Sequence, residues 1–536
     1  MKQTSVQVAV IGASLGGVMA AWQLCRAGIR TLLTSEFSWI GGQLTSQAVP
    51  PDEHPHIEFF GASESYRAFR AAVRRHYLTQ PEFVDNTSMT EGCNPGDGWV
   101  SRLCFEPAVA EEYLRSLLRP FIDSGLLTLI EAARPVTAVR NGRSLESVTV
   151  AQGRRKVRLC AVYFIDGTDT GALLKLADLP YRLGKESREE FDEPQAPEHA
   201  DRMDQQPVTF VCALGRADHP SAPIARPAEY DFWHKYKLPH YDHRIFSNQL
   251  PGHEGFGSIQ LPFFSTAAFM GDYSDRTLDL WRYRRIVAAH NWQGQERQDI
   301  SLINWAQNDY ALKPLLDGCD SGEDEVSAAA KALTRCFVYW LQTEAPRSSL
   351  GEVGRGFPEL VLAEKFLGTA DGFAQQIYVR ESRRIVGLQT LSQRDILLPS
   401  GESGWRPLRQ GNSVGIGLYN MDIHPTCMSG MGSNAAVRPF ELPLGVFIPV
   451  DVDNLLPASK NIGVTHLVNA ATRVHPIEWL VGEVAGLLAS LCLAKQVLPA
   501  DIYGIKSHTT DFQQLLQNKG VPLHWPEHIS SRSAQD

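Results

Sequence analysis

The 536-residue sequence is poor in several signals, and each absence narrows what the chain can be. No two of its nine cysteines (25, 93, 104, 160, 212, 319, 336, 427 and 492) stand at C-x-x-C spacing, and their number is odd. This argues against a disulfide framework, a thioredoxin-type dithiol and a Cys-rich zinc or iron–sulfur site. No metal is expected, and a reducing cytoplasm fits best. Positive charge is not in excess: 51 Lys and Arg stand against 60 Asp and Glu, a net charge of −9. Neither nucleic acid nor an anionic membrane is therefore an expected partner. The short basic groups Arg154-Arg155-Lys156 and Arg282/Arg284/Arg285 read as solvated faces or local ion-pair partners. Long apolar runs are missing too. Residues 6–11 are too short for a secretory signal and run into a glycine turn. Residues 479–494 are interrupted by Glu483 and fall short of the roughly 20 residues of a spanning helix, so they read as a buried helix.

What is present is an ordinary globular balance, 43% apolar and 21% charged, over a length that calls for two or three packed units. Residues 6–11 form a β-branched run, and Gly12-Ala13-Ser14-Leu15-Gly16-Gly17 follows as a turn. A helix is predicted over 18–27, ended by Gly28, with a second strand over 29–34, which makes a βαβ unit. Residues 50–122 read as mostly helical. Residues 126–165 read as short strands with turns at Asn141-Gly142 and Gln152-Gly153, an antiparallel meander whose last strand ends at Asp166-Gly167-Thr168. Residues 186–206 read as an exposed connection. The aromatic-rich stretch 207–375 reads as an inserted, mainly helical cap or substrate domain. Residues 376–504 return to complete the domain begun by 1–185, and 505–536 read as a peripheral tail. The expected fold is α/β: a Rossmann-type parallel sheet with a small meander, plus the inserted cap.

The glycine turn has the form of a dinucleotide fingerprint, G-x-G-x-x-G, with Ser14 in the middle glycine's place. Gly12 serves the tight turn and Gly17 the helix–strand packing. The helix N-terminus presents N–H groups and a positive dipole end to a diphosphate. Glu36, at the end of the second strand, is the candidate for the ribose hydroxyls, one position later than the commonest spacing. No second fingerprint stands on a strand–helix junction, so no dedicated NAD(P)H domain is expected.

Gly41-Gly42-Gln43-Leu44-Thr45 follows the acidic residue almost at once. This order resembles the FAD-binding domain of glutathione-reductase-type flavoproteins, and the chain resembles the FAD-dependent oxidoreductase family that shares it. Tyr378-Val379-Arg380-Glu381-Ser382-Arg383-Arg384-Ile385 is similar to that family's R-E-[ST]-R-R-I stretch. The segment from Gly415 to His424 resembles its Tyr-x-x-Asp-x-His, and Asp453 to Lys460 its D-N-L-L-x-A-G-R. Asn304-Trp305 and Asn308-Asp309-Tyr310 share the family's flavour. Two departures stand out. Ser459-Lys460 replaces Gly followed by Asp or Arg, and Asp166-Gly167-Thr168-Asp169 replaces Ala-Thr-Gly.

The resemblance implies FAD, held by Gly12, Ala13, Ser14, Gly16, Gly17 and Glu36. It extends to Gly42, Gln43, Thr45, Val136, Asp166, Gly167, Thr168, Arg473 and Gly482. Beyond Pro476, the small residues Gly482, Ala485, Gly486 and Ala489 share one helix face, either packing closely in the core or aiming a positive helix end at the flavin N1–C2=O locus. The implied chemistry is hydride removal from a C–H or C–N bond of a small organic substrate held against the isoalloxazine, with O2 or another acceptor closing the cycle. His424, His475, Asp422 and Arg383 are the catalytic candidates, with Glu381, Arg384, His54 and His56 behind them. Arg383 and Arg384 either bind an anionic substrate group or pair with Glu381. An NAD(P)H-using monooxygenase, a flavin electron-transfer subunit and an NAD-dependent dehydrogenase remain as alternatives. A small-molecule substrate is the expected partner, and association into a homo-oligomer is left open.

Overall fold

The computed structural model describes residues 2–86, 92–252, 257–265, 278–294, 297–318, 322–347, 354–398, 407–526 and 529. Cys319 lies outside the described residues, as does most of the chain after 526. Strand β1 (Lys2–Ile11) ends in four fully buried residues, Val8 to Ile11, as a strand covered on both faces requires. It pairs in parallel with β2 (Thr31–Thr34), which pairs with β3 (Leu127–Ile130). On its other side β1 pairs in parallel with β6 (Arg155–Asp166).

The 12-residue β6 serves two neighbours on its far edge. Its first half is antiparallel to β5 (Ser144–Gln152), and its last three residues are parallel to Leu455–Pro457. The parallel sheet and the meander are thus one continuous sheet, joined through a single long strand. β4 (Arg134–Asn141) completes the meander. Gly142 and Gly153 turn it at φ values of 56°, which a residue with a Cβ rarely adopts. Helix α1 (Leu15–Arg26) is capped by Ser14, whose Oγ accepts the Gly17 N–H at 3.2 Å.

The chain's return to the first domain is decided by the closing helix, His475–Lys495. At 21 residues it is longer than expected and apolar enough to cross a membrane, yet 83% of its most apolar window is buried inside the protein. Its small-residue face lies on α1. A Cβ at Gly482 would stand 2.1 Å from the Gly16 carbonyl oxygen, and one at Gly486 2.5 Å from that of Ala20. Trp479 packs against Tyr66 of α2 (Glu64–Leu78) and Phe69, at centroid distances of 5.4 and 5.3 Å. Glu483, which interrupts the apolar run, accepts hydrogen bonds from Ser65 Oγ at 2.6 Å and Gln23 Nε2 at 2.9 Å. Both bonds fall on Oε1, while Oε2 has no hydrogen-bond partner among the described residues.

Two expectations are corrected. The insert over 207–375 is not mainly helical. It is built on a four-stranded antiparallel sheet (Arg285–Val287, Ile300–Ile303, Cys212–Arg216, Leu360–Leu362) with one long helix, Glu323–Thr343. Its aromatics dominated the composition and hid short strands. Trp233, Phe263, Phe264, Trp281 and Tyr310 fill its own core. The tail is not peripheral either. Helix Lys506–Asn518 sends Phe512 and Leu516 into the main core, and Trp525 donates Nε1–H to the Phe440 carbonyl at 2.9 Å. All eight described cysteines are free.

The contact between α1 and the closing helix leaves no room for a methyl group. Gly482→Ala is expected to cost about 1–3 kcal/mol through forced helix separation and to lower the melting temperature. Gly504→Ala, where an added Cβ meets nothing within 4 Å, is the control and should leave the melting curve unchanged. Equal melting temperatures for both variants contradict the close contact.

Candidate functional site

A cleft of about 320 Å³ opens above the C-terminal ends of the parallel strands, where open α/β sheets bind ligands. Gly12, Ala13 and Ser14 line it at the start of α1, with Glu36 after β2, Arg134 and Pro135 on β4, and Gly167 and Thr168 after β6. It continues past Asp169 to Ser46, Gln376 and Ile377. The glycines are there because backbones cross. A Cβ on Gly12, whose φ is 98°, would stand 2.5 Å from the Gly167 oxygen, and one on Gly17 2.1 Å from the Gly12 oxygen. The Ser14 N–H donates to the Gly167 carbonyl at 3.2 Å. The two turns therefore lock to each other, and the N-terminal end of α1 faces the cleft.

Several expected cofactor residues shape this cleft without lining it. Asp166 accepts from Thr168 N–H at 3.0 Å, Thr168 Oγ–H at 2.7 Å and Leu173 N–H at 3.0 Å, so its carboxylate organises the turn. Burial raises it to about 6, against the pull of those hydrogen bonds. Thr45 donates to the Ile40 carbonyl at 2.6 Å, holding the Gly41-Gly42 turn. Val136 falls at an irregularity in the β4–β5 register, between lining residue Pro135 and Thr137. Gly16 and Gly482 meet in the helix–helix contact instead.

The departures from the family pattern form one buried cluster. Lys460 Nζ stands 2.7 Å from Asp169 Oδ1 and 3.3 Å from Glu478 Oε2. Glu478, in the first turn of the closing helix, also accepts from Gln43 Nε2 at 2.5 Å and Ser459 Oγ at 3.0 Å. Burial raises the Glu478 carboxyl, while Lys460 opposes that rise. The positive end of this helix is therefore met by an acid of its own first turn, with a lysine added in front.

Next to the cleft lies a second cavity of about 480 Å³. Residues 376–380 divide the two: Gln376, Ile377 and Val379 line the cleft, whereas Tyr378 and Arg380 line the cavity. His424 and Asp422 enter it from the segment that includes strand Met421–Ile423. His424 Nδ1 is 2.6 Å from Asp309 Oδ2 and Nε2 is 3.5 Å from Asp422 Oδ2. Arg380 pairs with Asp309 at 3.0 Å, and Arg473 with Asp422 at 3.0 Å and with the Tyr378 hydroxyl at 2.6 Å. Burial and Arg380 push the His424 imidazole down, but Asp309 and Asp422 more than offset them, and it titrates above its ordinary value. Despite burial, the adjacent cations hold Asp309 and Asp422 well below the usual carboxylate range.

Residues 7–516 match the family model described as FAD dependent oxidoreductase. The chain belongs to the FAD-dependent oxidoreductase family. No curated protein matches it. Among solved structures it is similar to a geranylgeranyl bacteriochlorophyll reductase-like protein from Thermoplasma acidophilum, at 9% identity and TM-score 0.31 over 97% of this chain and 85% of that one. It is also similar to L-proline dehydrogenase from P. horikoshii, at 12% identity and TM-score 0.18 over 31% of this chain and 22% of that one. A flavin-dependent brominase shares 9% identity, with TM-score 0.23, over 41% of this chain and 48% of that one. The chain thus spans less than half of the latter two, and likenesses this distant bear on neither substrate nor reaction.

FAD is the family's cofactor, and the cleft fits it. The cradle a Cβ would fill lies at Gly12, the α1 N-terminus suits the diphosphate, and Glu36 suits the adenosine ribose. Not every catalytic candidate reaches the cavity. Arg383 lies on the cleft side, paired with Asp317 at 3.0 Å and Glu323 at 3.2 Å. Arg384 pairs with Glu186 at 3.0 Å, and Glu381 accepts the backbone N–H groups of Gly184 and Gln206. His475 is fully buried: Nδ1 accepts the Asp52 N–H at 3.0 Å, and Nε2 lies 3.2 Å from the Val49 carbonyl. Burial drops it to about 3, so it is a neutral strut rather than a base. His54 is likewise lowered to about 3 by burial. Arg284, Asn304, Tyr378 and Tyr419 line the cavity although none was among the catalytic candidates. The Arg282/Arg284/Arg285 group is no solvated face, since all three side chains are buried.

The ion pairs of His424 stabilise the fold fully below its ordinary value of about 6.5 and lose that contribution as pH rises through the raised folded value. His424→Gln should therefore lose most stability below about pH 6.5, with the gap to wild type narrowing above it. Urea denaturation across that range measures it, and a gap independent of pH contradicts the pairing.

Proposed function

We propose that this FAD-dependent oxidoreductase removes a hydride from a C–H or C–N bond of a small organic molecule bound in the second cavity, with O2 or another external acceptor completing the cycle. The observation that carries this is the thin wall at 376–380, which sets a cofactor cleft and an apolar-walled, histidine-bearing cavity back to back. Cavities of this size and lining suit small ligands, with a few polar groups fixing orientation.

FAD, when bound, supplies the two-electron acceptor. The chain's own residues supply position and proton handling. Asp309 at Nδ1 fixes the His424 tautomer so that Nε2 accepts a proton in the neutral form. The substrate loses a hydride from carbon and a proton from its nitrogen or oxygen, and that proton goes to Nε2. Asp422, held by Arg473, then stabilises the imidazolium across 3.5 Å. His475 fixes the backbone of Val49 and Asp52 at the cavity edge. Leu250, Leu261, Leu280 and Leu418 keep the wall apolar and exclude water.

Anaerobic mixing of the yellow protein with candidate C–H and C–N donors tests the reading, with loss of flavin absorbance as the readout. A donor should bleach the flavin without NAD(P)H. The rate should rise with pH through a value above about 6.5, because the proton acceptor is neutral His424. His424→Gln should slow bleaching by about 100-fold or more at unchanged FAD content. Bleaching by NAD(P)H alone would favour a monooxygenase, and an unslowed variant would remove His424 from the chemistry.

A further inference from the structure

We infer that the second cavity recognises a carboxylate, with Arg284 as the anchor and Asn304 beside it, so that the substrate is an organic acid with an apolar body. This rests on reading the cavity as the substrate chamber. The cavity lining holds three guanidinium groups, and two are already matched. Arg380 has Asp309 at 3.0 Å and Arg473 has Asp422 at 3.0 Å. Arg284 is different. Its side chain is buried, yet its Nε and Nη1 have no hydrogen-bond partner among the described residues. Its nearest acid, Asp52, stands at 3.9 Å, a counter-charge beyond hydrogen-bonding reach. A buried guanidinium with unmade N–H bonds is costly, and the group that satisfies its planar fork best is a carboxylate.

The neighbouring groups point the same way. Strand pairing sets the Leu302 N–H on the Arg284 carbonyl at 3.1 Å, and Asn304, two residues on, lines the same cavity as Arg284. Asn304 is 3% exposed, and both of its amide atoms lack partners among the described residues. Trp305 Nε1 also lacks one. Across Arg284, Asn304, Trp305, Arg380 and Arg473, the buried atoms without a partner among the described residues are thus mostly donors: Nε and Nη1 of Arg284, Nδ2 of Asn304, Nε1 of Trp305, and Nε of Arg380 and of Arg473, against Oδ1 of Asn304. A ligand that answers them is rich in acceptors. Around these donors the wall is apolar, with Leu250, Ile259, Leu261 and Leu280, so the rest of the ligand is hydrocarbon.

Calorimetric titration of the FAD-loaded protein with sodium benzoate, a carboxylate on an apolar ring, tests this without turnover. Saturable binding is expected for benzoate and not for benzamide, sodium chloride or sodium phosphate. Arg284→Gln should weaken benzoate by about 10-fold or more, Arg284→Lys less, and Asn304→Ala by several-fold. Equal binding of benzamide, equal binding of the inorganic anions, or an undiminished affinity in Arg284→Gln overturns the inference. If Arg284→Gln does not retain FAD, Asn304→Ala decides, and unchanged benzoate affinity there overturns it. Wild-type protein that ignores benzoate but is bleached by a neutral donor overturns the carboxylate and keeps hydride removal. Protein that binds benzoate but is bleached by no donor does the reverse.

Discussion

The structure turns on the absence of side chains where α1 meets the closing helix and the two turns above the sheet. Gly482 lies on Gly16, Gly486 on Ala20, and Gly12 on Gly167, each so close that a single added carbon would overlap a backbone atom. These contacts join residue 12 to residue 167 and residue 16 to residue 482, so the first and last thirds of the chain form one body. Because glycine packing leaves no slack, the α1 N-terminus, the β6 turn and the start of the closing helix hold fixed relative positions. The first two of these elements line the cleft above the sheet, and the closing helix packs behind α1.

Charge is handled differently on the two sides of the 376–380 wall. On the cofactor side, Lys460 is enclosed by Asp169 and Glu478, a compact buried group that also takes in Gln43 and Ser459. On the cavity side, a chain of alternating sign runs from Arg380 through Asp309, His424 and Asp422 to Arg473. Buried ions persist only when paired and hydrogen-bonded, and here each member has a partner. The histidine in the middle is the one member whose charge can change near neutral pH. That is why proton handling is proposed for it rather than for fully engaged His475.

Local pattern made the nucleotide half legible. The β-branched run, the glycine turn with Ser14, the helix after it and the two glycine hairpins are all written in adjacent residues, and the structure realises each within a few positions. The insert was less legible because its strands are only three to five residues long and lack a clear period. The tail misled because Phe512 and Leu516, though four apart on one helix face, stand in a largely polar helix, and nothing local says which surface that face meets. Site residues divided the same way. Gly12, Ala13, Ser14, Glu36, Gly167 and Thr168 line the cleft as their motif positions imply. Arg383 and His475 had the right chemistry but were already engaged by distant partners.

By itself the sequence determined the βαβ start, the meander, the small-residue face of the last long helix and the family to which the chain belongs. These depend on neighbours in the chain and on local backbone preference. Only the tertiary structure decided that Asp309 reaches His424 across 115 residues, that Arg383 faces the cleft rather than the cavity, and that Arg284 is buried with N–H groups unpartnered among the described residues. The reason is physical: a side chain's charge state and availability depend on what folding brings within a few ångströms, and no spacing along the chain encodes that distance.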